Sequence, residues 1–516
     1  MSQAHAPGSD PPGPPDPAGR LLWGDLHNHC AISYGHGSLE RALALARQQL
    51  DFVSVTGHAF WPDMPTDRIR HGRTIDTHRM GFQRLHAGWD GVLATLAGAD
   101  REGEFVVFPG YEWHSLAHGD HHVVYRDLGG ALLGGETVDE LRATLRRQGR
   151  PFLLVPHHIG YPRGVRGTNW DTYAAQESPL VELYSLHGCS ESDEAPYPML
   201  HTMGPRDSRS TVQEGLNRGH RFGFVASTDQ HSGYPGSYGE GRLALRAAAP
   251  TRAAIWDALL SRRTYAVTGD KIEADFAVNG APLGGQTTGS RREIAFAAAG
   301  SDFWDTAEVL KNGRVWRRWA PTPSRRAPAP NRRLRSRLRV EWGWGRAEPA
   351  MPWELRLAVD GGAVAAVETC FRGEPVLRHD QVEGVEETIP HALLEQTATR
   401  VAWRSLTRGN HSTRHPTTQA LILTLDAPPS ARIHLTGNGL RVGHTLAQLL
   451  EGSRAHMTAG FASPAVRLHR AVAERDYRLR RTAVDTAPER EADYYYLRLA
   501  QRNAQCAWLS PVWVTA

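Results

Sequence analysis

From residue 21 to residue 231, short apolar runs follow one another, and run after run ends in residues of the kind that bind metals. The run at 21–29 ends in His27 and His29, that at 51–58 in His58, and that at 104–114 in Glu112 and His114. The run at 151–158 ends in His157 and His158, 180–185 carries Glu182, and 222–231 ends in Asp229 and His231. A shorter run, 121–125, begins with His121 and His122. Between these runs lie helical patterns at 38–50, 74–96, 137–148 and 252–262; in the first, Leu39, Leu43, Ala46 and Leu50 form an apolar stripe. Alternating strand and helix patterns predict an α/β unit on a mostly parallel sheet over about 21–270. Such sheets and barrels place their active sites at the carboxyl ends of their strands.

Side chains alternate along a strand, so Asp25, His27 and His29 share one face while Leu26 and Asn28 take the other. Paired neutral imidazoles suit Zn²⁺ and its first-row neighbours. A lone His-x-His is equally compatible with packed or edge histidines. The recurrence of His, Asp and Glu at later strand ends favours the metal, because buried charged groups are costly without a partner.

Composition narrows the alternatives. Hydrophobic residues at 40% and charged residues at 22% are those of an ordinary globular protein, and 516 residues suffice for several domains. The net charge of +4 is small for this length, so nothing in the charge balance calls for a nucleic-acid partner. Cys30, Cys189, Cys370 and Cys506 are widely spaced, which excludes a disulfide framework and a zinc ribbon. No apolar run of about 18 residues is present, so no membrane span is expected. Residues 1–20 read as a disordered Pro/Gly/Ala leader without a signal peptide, and a cytoplasmic location is the expectation.

Beyond residue 271 helical periodicity fades, and β-type runs separated by Gly, Pro and Asn predict one or more β-sandwich-like units over 271–516. Asn312-Gly313 is a hairpin turn. The Arg/Pro-rich stretch 314–339 lacks the interleaved aromatics of a nucleic-acid surface and reads as an exposed loop or linker. The glycine-rich stretch 233–241 lacks the Lys-Ser/Thr of a phosphate loop and reads as a rim to the site.

Gly24-Asp-Leu-His-Asn-His29, Val55-Thr-Gly-His58, Pro109-Gly-Tyr-Glu112, Pro156-His157 and Ser227-Thr-Asp-Gln-His231 resemble, in order, the metal motifs of the PHP superfamily, named for polymerase and histidinol phosphatase domains. The nearer likeness is to carbaryl-hydrolase-like PHP metallohydrolases with a β-rich carboxyl-terminal region, whose closing tract resembles Tyr495-Tyr-Leu-Arg-Leu here. The resemblance implies a distorted (β/α)7-type barrel with two or three divalent cations (Zn²⁺, Mn²⁺ or Fe²⁺) at its mouth. It matches His27, His29 and Asp229 to a first metal, and Glu112 to a carboxylate bridging two metals. His157, with either His121 or His122, matches a second metal, and His58 and His231 a third. Gly57 stands where many members carry Asp, and the early loop histidine is matched only by His36.

Two cations about 3.5–4 Å apart can hold a bridging hydroxide at neutral pH and stabilise the oxyanion formed by its attack. On that chemistry Glu112 sets the spacing, Asp229 serves as ligand and proton acceptor, and His231 as ligand or as acid to the leaving group. Asp25 is expected to hold an imidazole in its tautomer, and Glu182 to orient a ligand histidine. His114 is assigned to the substrate pocket or to support behind the ligands and His158, by alternation, to a structural role; His187 is left open. Arg163 and Arg166 either bind a substrate anion or are solvated. Ser185, Cys189 and Ser190 form no nucleophile elbow. The expected function is a metal-dependent hydrolase acting on a small ester, carbamate, amide or phosphoester. The alternative is an inactive, metal-stabilised binding or scaffold protein. A small-molecule substrate is the expected partner, nucleic acid is disfavoured, and self-association is left open.

Overall fold

The computed structural model describes residues 19–324, 329–346, 349–374, 389–409 and 416–516. Residues 1–18 of the expected leader lie outside them. Strand β1 (Arg20–Asp25) is followed by helix α1 (Leu39–Ala46), whose N-terminus is capped by Ser38, with Oγ accepting the Arg41 amide at 3.2 Å. Replacing such a cap with alanine costs about 1 kcal/mol. Strand β2 (Phe52–Phe60), the long helix α2 (Arg68–Ala99) and strand β3 (Val106–Trp113) come next. The links from β1 to β2 and from β2 to β3 are parallel crossovers, as the helical stripes between them predict.

The pattern then changes. Strand β4 (His121–Tyr125) runs antiparallel to β3, and β5 (Phe152–Pro156) runs antiparallel to β4 although helix α3 (Val138–Gln148) lies between them. Strands β6 (Leu180–Ser185), β7 (Gly188–Cys189) and β8 (Gly223–Ala226) form a separate three-stranded sheet, with helix α4 (Val212–Asn217) in the connection. Strand β9 (Arg242–Ala247), helix α5 (Arg252–Leu260) and strand β10 (Thr264–Val267) return to the large sheet, with β9 antiparallel to β1.

The expected (β/α)7-type barrel is not formed. Among the described residues 40% lie in strands and only 17% in helices, and no ladder closes a barrel. The large sheet is open and mixed. From β5 its order runs β4, β3, β2, β1, β9, β10, and it continues through Cys506–Leu509, Ala492–Gln501 and Val512–Thr515 to Gln286–Thr288. The reason is that periodicity reports an element's type but not its partner. Beside β10, Cys506–Leu509 pairs antiparallel and joins the carboxyl-terminal strands to the sheet. Residues on both sides of position 270 therefore share one sheet and one core, in which Trp23, Val53 and Tyr265 join Phe276, Phe296 and Leu497.

Two further sheets face each other. One includes Leu334–Gly343 and Gln419–Ala427, the other Met351–Asp360 and Arg400–Thr407. Alternate residues Trp353, Leu355, Leu357 and Val359 point inward against Leu338, Val340 and Trp342. Within 314–339, Arg314–Trp319 is a strand paired with Trp304–Lys311, and Leu334 begins another; residues 325–328 lie outside the described set. The cysteines are free and buried. No described helix is long and apolar enough to cross a membrane.

The glycine-rich loop after His231 is fastened to the facing sheets. The Tyr238 ring lies 4.7 Å from the guanidinium of Arg339 and 4.7 Å from that of Arg372, and its hydroxyl donates to Asp270 at 2.6 Å. Arg372 also donates to the Tyr238 carbonyl at 2.6 Å, and Ser237 Oγ accepts the Gly373 amide at 2.9 Å. The loop is thus a clamped segment beside the site.

Candidate metal centre

Strand register builds the middle of the site. His58 on β2 is paired with Glu112 on β3, and Glu112 with His122 on β4, so three adjacent strands bring these side chains to one rung. His121, one residue earlier, is paired with Trp113 and takes the opposite face; its Nδ1 donates to the Gly119 carbonyl at 2.9 Å. Of the two candidates, His122 enters the cluster and His121 does not. His157 follows the end of β5, with Nδ1 3.2 Å from His122 Nδ1 and Nε2 2.9 Å from Glu112 Oε1.

The first and last motifs meet backbone to backbone. The Asp229 amide donates to the His27 carbonyl at 2.8 Å, and the His29 amide to the Gln230 carbonyl at 2.8 Å. Asp25 organises this junction rather than an imidazole. Its carboxylate accepts the amides of His27 (3.1 Å), Thr228 (3.3 Å) and Gly236 (2.8 Å) and the Thr228 hydroxyl (2.6 Å). The role expected of Asp25 falls to Glu182, whose Oε2 lies 3.0 Å from His27 Nδ1.

His29 Nε2 is 3.0 Å from Asp229 Oδ1 and 3.2 Å from His27 Nε2. Glu112 Oε2 is approached by Nε2 of His58 at 3.3 Å, of His29 at 3.5 Å and of His27 at 3.8 Å, yet it has no hydrogen-bond partner. His231 Nδ1 donates to the Asp229 carbonyl at 2.9 Å, and its ring lies 4.3 Å from that of His29. The structure thus brings His27, His29, His58, Glu112, His122, His157, Asp229 and His231 together in overlapping groups with ligand atoms within 4.8 Å of one another.

Electrostatics favour neutral imidazoles at most of these positions, while against the effect of burial Asp229 and Glu182 raise His27 well above the usual imidazole range. Burial pushes His58, His122 and His231 well below the usual imidazole range and His157 down to about 4, so their ring nitrogens keep lone pairs. Burial alone would raise Glu112 and Asp229. The histidines around them, chiefly His114 for Glu112 and His27 for Asp229, hold both well below the usual carboxylate range.

Several neighbours carry no strand-end signal or were read differently. Asp120 lies between β3 and β4 and meets the half-buried guanidinium of Arg166, which is therefore paired within the protein. Burial would raise Asp120, but Arg166 and then His114 hold its carboxyl below the usual range. His114 Nδ1 is 3.1 Å from Glu112 Oε1, closer than a wall residue. His158 is also drawn in, with Nε2 3.4 Å from Asp120 Oδ2; β5 ends at Pro156 and His158 has φ 31°, so strand alternation does not reach it. Arg163 pairs with Asp171 on the surface. Gly57 faces away: a Cβ there would come within 2.9 Å of Leu85 and 3.1 Å of Ile32. His36 is buried beside the loop, its amide donating to the His231 carbonyl at 2.8 Å.

No family model matches the chain. An uncharacterized protein of Chlamydia pneumoniae is 31% identical over 266 residues, which is 45% of this chain and 41% of that protein. An uncharacterized protein of Chlamydia muridarum is 29% identical over 165 residues, 28% of this chain and 27% of the relative. The chain thus matches less than half the length of these curated relatives. Among solved structures, a two-domain protein from Bacteroides vulgatus containing a predicted PHP-like metal-dependent phosphoesterase overlaps 60% of this chain and 83% of its own, with a TM-score of 0.32 and 14% identity.

Proposed function

We propose that the chain is a metal-dependent hydrolase whose centre holds two or three divalent cations, Zn²⁺, Mn²⁺ or Fe²⁺, and acts on a small ester, carbamate, amide or phosphoester. The observation that carries this reading is Glu112 Oε2: a buried, ionised oxygen without a hydrogen bond, ringed by three imidazole Nε2 atoms at 3.3–3.8 Å. Ligand atoms about 2.0–2.1 Å from a tetrahedral metal stand roughly 3.4 Å from one another, so these spacings fit a shared cation.

His27, His29, Asp229 and Glu112 would hold one cation, and Glu112, His122 and His157 a second. His58 and His231 would serve a third. Bound cations supply Lewis acidity and lower the pKa of water. The chain's own groups do the rest. Glu182 fixes His27 with its proton on Nδ1, so that Nε2 faces the cluster. The proton of His231 is on Nδ1, donated to a carbonyl, which leaves Nε2 as a lone pair and favours a ligand over an acid. Asp229, held ionised, accepts the proton of an attacking water at Oδ1. Trp61, with Arg166 5.1 Å from its ring, and Phe82 stand at the His114 side of the cluster and give the substrate an aromatic wall.

The test is metal content together with hydrolysis of nitrophenyl phosphate, a phosphodiester and acyl esters by the metal-loaded protein. Glu112→Gln and Asp229→Asn should each cut turnover by about 100-fold or more. Full activity in both variants overturns the site. Stoichiometric metal without hydrolysis across the panel favours the inactive, metal-stabilised scaffold.

A further inference from the structure

Asp229 is gripped from outside the cluster by two residues that the chemistry above does not use. Its Oδ1 faces His29 Nε2 at 3.0 Å and His27 Nε2 at 3.4 Å. Its Oδ2 faces away, 2.9 Å from His187 Nε2, and the Tyr161 hydroxyl lies 2.8 Å from His187 Nδ1. Tyr161 and His187 are buried, and His187 is wedged between His158 and His201, with ring centroids 4.7 and 4.8 Å away.

The direction of each hydrogen bond follows from the groups. The Tyr161 hydroxyl, 2.8 Å from His187 Nδ1, can donate to a ring lone pair there. With Nδ1 accepting from Tyr161, the ring proton stands on Nε2, which lies 2.9 Å from the carboxylate. That proton is donated to Asp229 Oδ2. The Asp229 main chain is fixed independently, with φ 52° and its amide on the His27 carbonyl. Rotation of the carboxylate is the remaining freedom, and a free carboxylate beside a cation can bind through one oxygen or both.

We propose that Tyr161 and His187 are positioning residues: Tyr161 selects the His187 tautomer, and His187 then engages Oδ2 so that Asp229 offers Oδ1 alone to the corner formed by His27 and His29. The proposal rests on the metal-centre reading above. It separates the pair from a packing role, because Tyr161→Phe preserves the ring and removes only the donor that selects the tautomer. Outer hydrogen bonds of this kind are worth about 10–100-fold in metal affinity.

The experiment uses the full chain loaded with Co²⁺. It compares the wild type with Tyr161→Phe, His187→Leu and His187→Gln, whose side-chain amide can still donate to Oδ2. Three quantities are read: the Co²⁺ dissociation constant by chelator competition, the visible Co²⁺ spectrum, and the melting temperature of the metal-free protein. The expected result is affinity weakened about 10-fold or more and a changed spectrum in Tyr161→Phe and His187→Leu. His187→Gln should recover most of the affinity, and metal-free melting of Tyr161→Phe should stay at the wild-type value. Wild-type affinity and spectrum in Tyr161→Phe and His187→Leu overturn the positioning role and leave the metal centre standing. Equal losses in His187→Gln and His187→Leu that follow the metal-free melting temperature also overturn it, as plain packing. A wild type that takes up no Co²⁺ overturns the metal-centre reading itself, and this proposal with it.

Discussion

Glu182 Oε2 sits 3.0 Å from Nδ1 of His27, at a depth where both side chains are buried. Burial, opposed by His27, leaves the Glu182 carboxyl pushed up to about 7. Removing the charge without changing the shape isolates this partnership. Glu182→Gln should weaken divalent-metal binding by about 10–100-fold, read by chelator competition. Unchanged affinity would show that His27 needs no outer carboxylate.

His121 and His122 separate two adjacent histidines by strand face alone. His122→Asn should reduce the metal retained per chain after gel filtration, read by elemental analysis. His121→Asn should leave that content unaltered and cost only the hydrogen bond to the Gly119 carbonyl, about 1 kcal/mol in denaturant unfolding. The reverse pattern would reassign the second metal's ligand.

Gly57 tests whether a carboxylate beside His58 would complete a site here. A side chain at this position points at Leu85 and Ile32. Gly57→Asp should leave metal content no higher and destabilise the protein by on the order of 3–5 kcal/mol, as an unpaired buried charge does. A stable variant binding an extra equivalent of metal would contradict this.

His391 gives stability a pH dependence outside the metal centre. Burial, assisted by Arg41, pushes its imidazole down to about 3, whereas an unfolded histidine titrates near 6.5. Its contribution is fully present above about pH 6.5. Below that, the unfolded chain takes up a proton that the folded state refuses, and stability falls by up to about 1.4 kcal/mol per pH unit until about pH 3. His391→Gln removes this slope. Its stability relative to the wild type should therefore rise by roughly 2 kcal/mol between pH 7.5 and pH 5 in urea unfolding. A difference independent of pH would mean that folded His391 accepts the proton.

Local patterns carried some features and not others. The apolar stripe of Leu39, Leu43 and Ala46 marks α1 because that signal lies within a few residues. The convergence of His27, Glu112, His157 and Asp229 follows from strand ends, and parallel β1, β2 and β3 do bring their ends to one side. Partner choice was illegible. Nothing near Thr264 announces that β10 will pair with a strand at Cys506, and in place of the barrel that the family resemblance implies the strands form an open sheet. Alternation also fails where the strand stops, which is why His158 was turned the wrong way. Asp120 and Arg166 find each other only through the folding of loops, and neither belongs to a periodic segment.

The grip of Arg339 and Arg372 on Tyr238 bears on the order in which the molecule matures. Every residue of the histidine cluster has been synthesised once residue 231 is made, but the brackets that hold the following loop have not. Synthesis runs from the amino terminus, so the centre is chemically complete long before it is mechanically finished. Its last adjustment waits for Arg339 and Arg372, made more than 100 residues after His231, and a nascent or clipped polypeptide lacking them would display the histidines without that bracing.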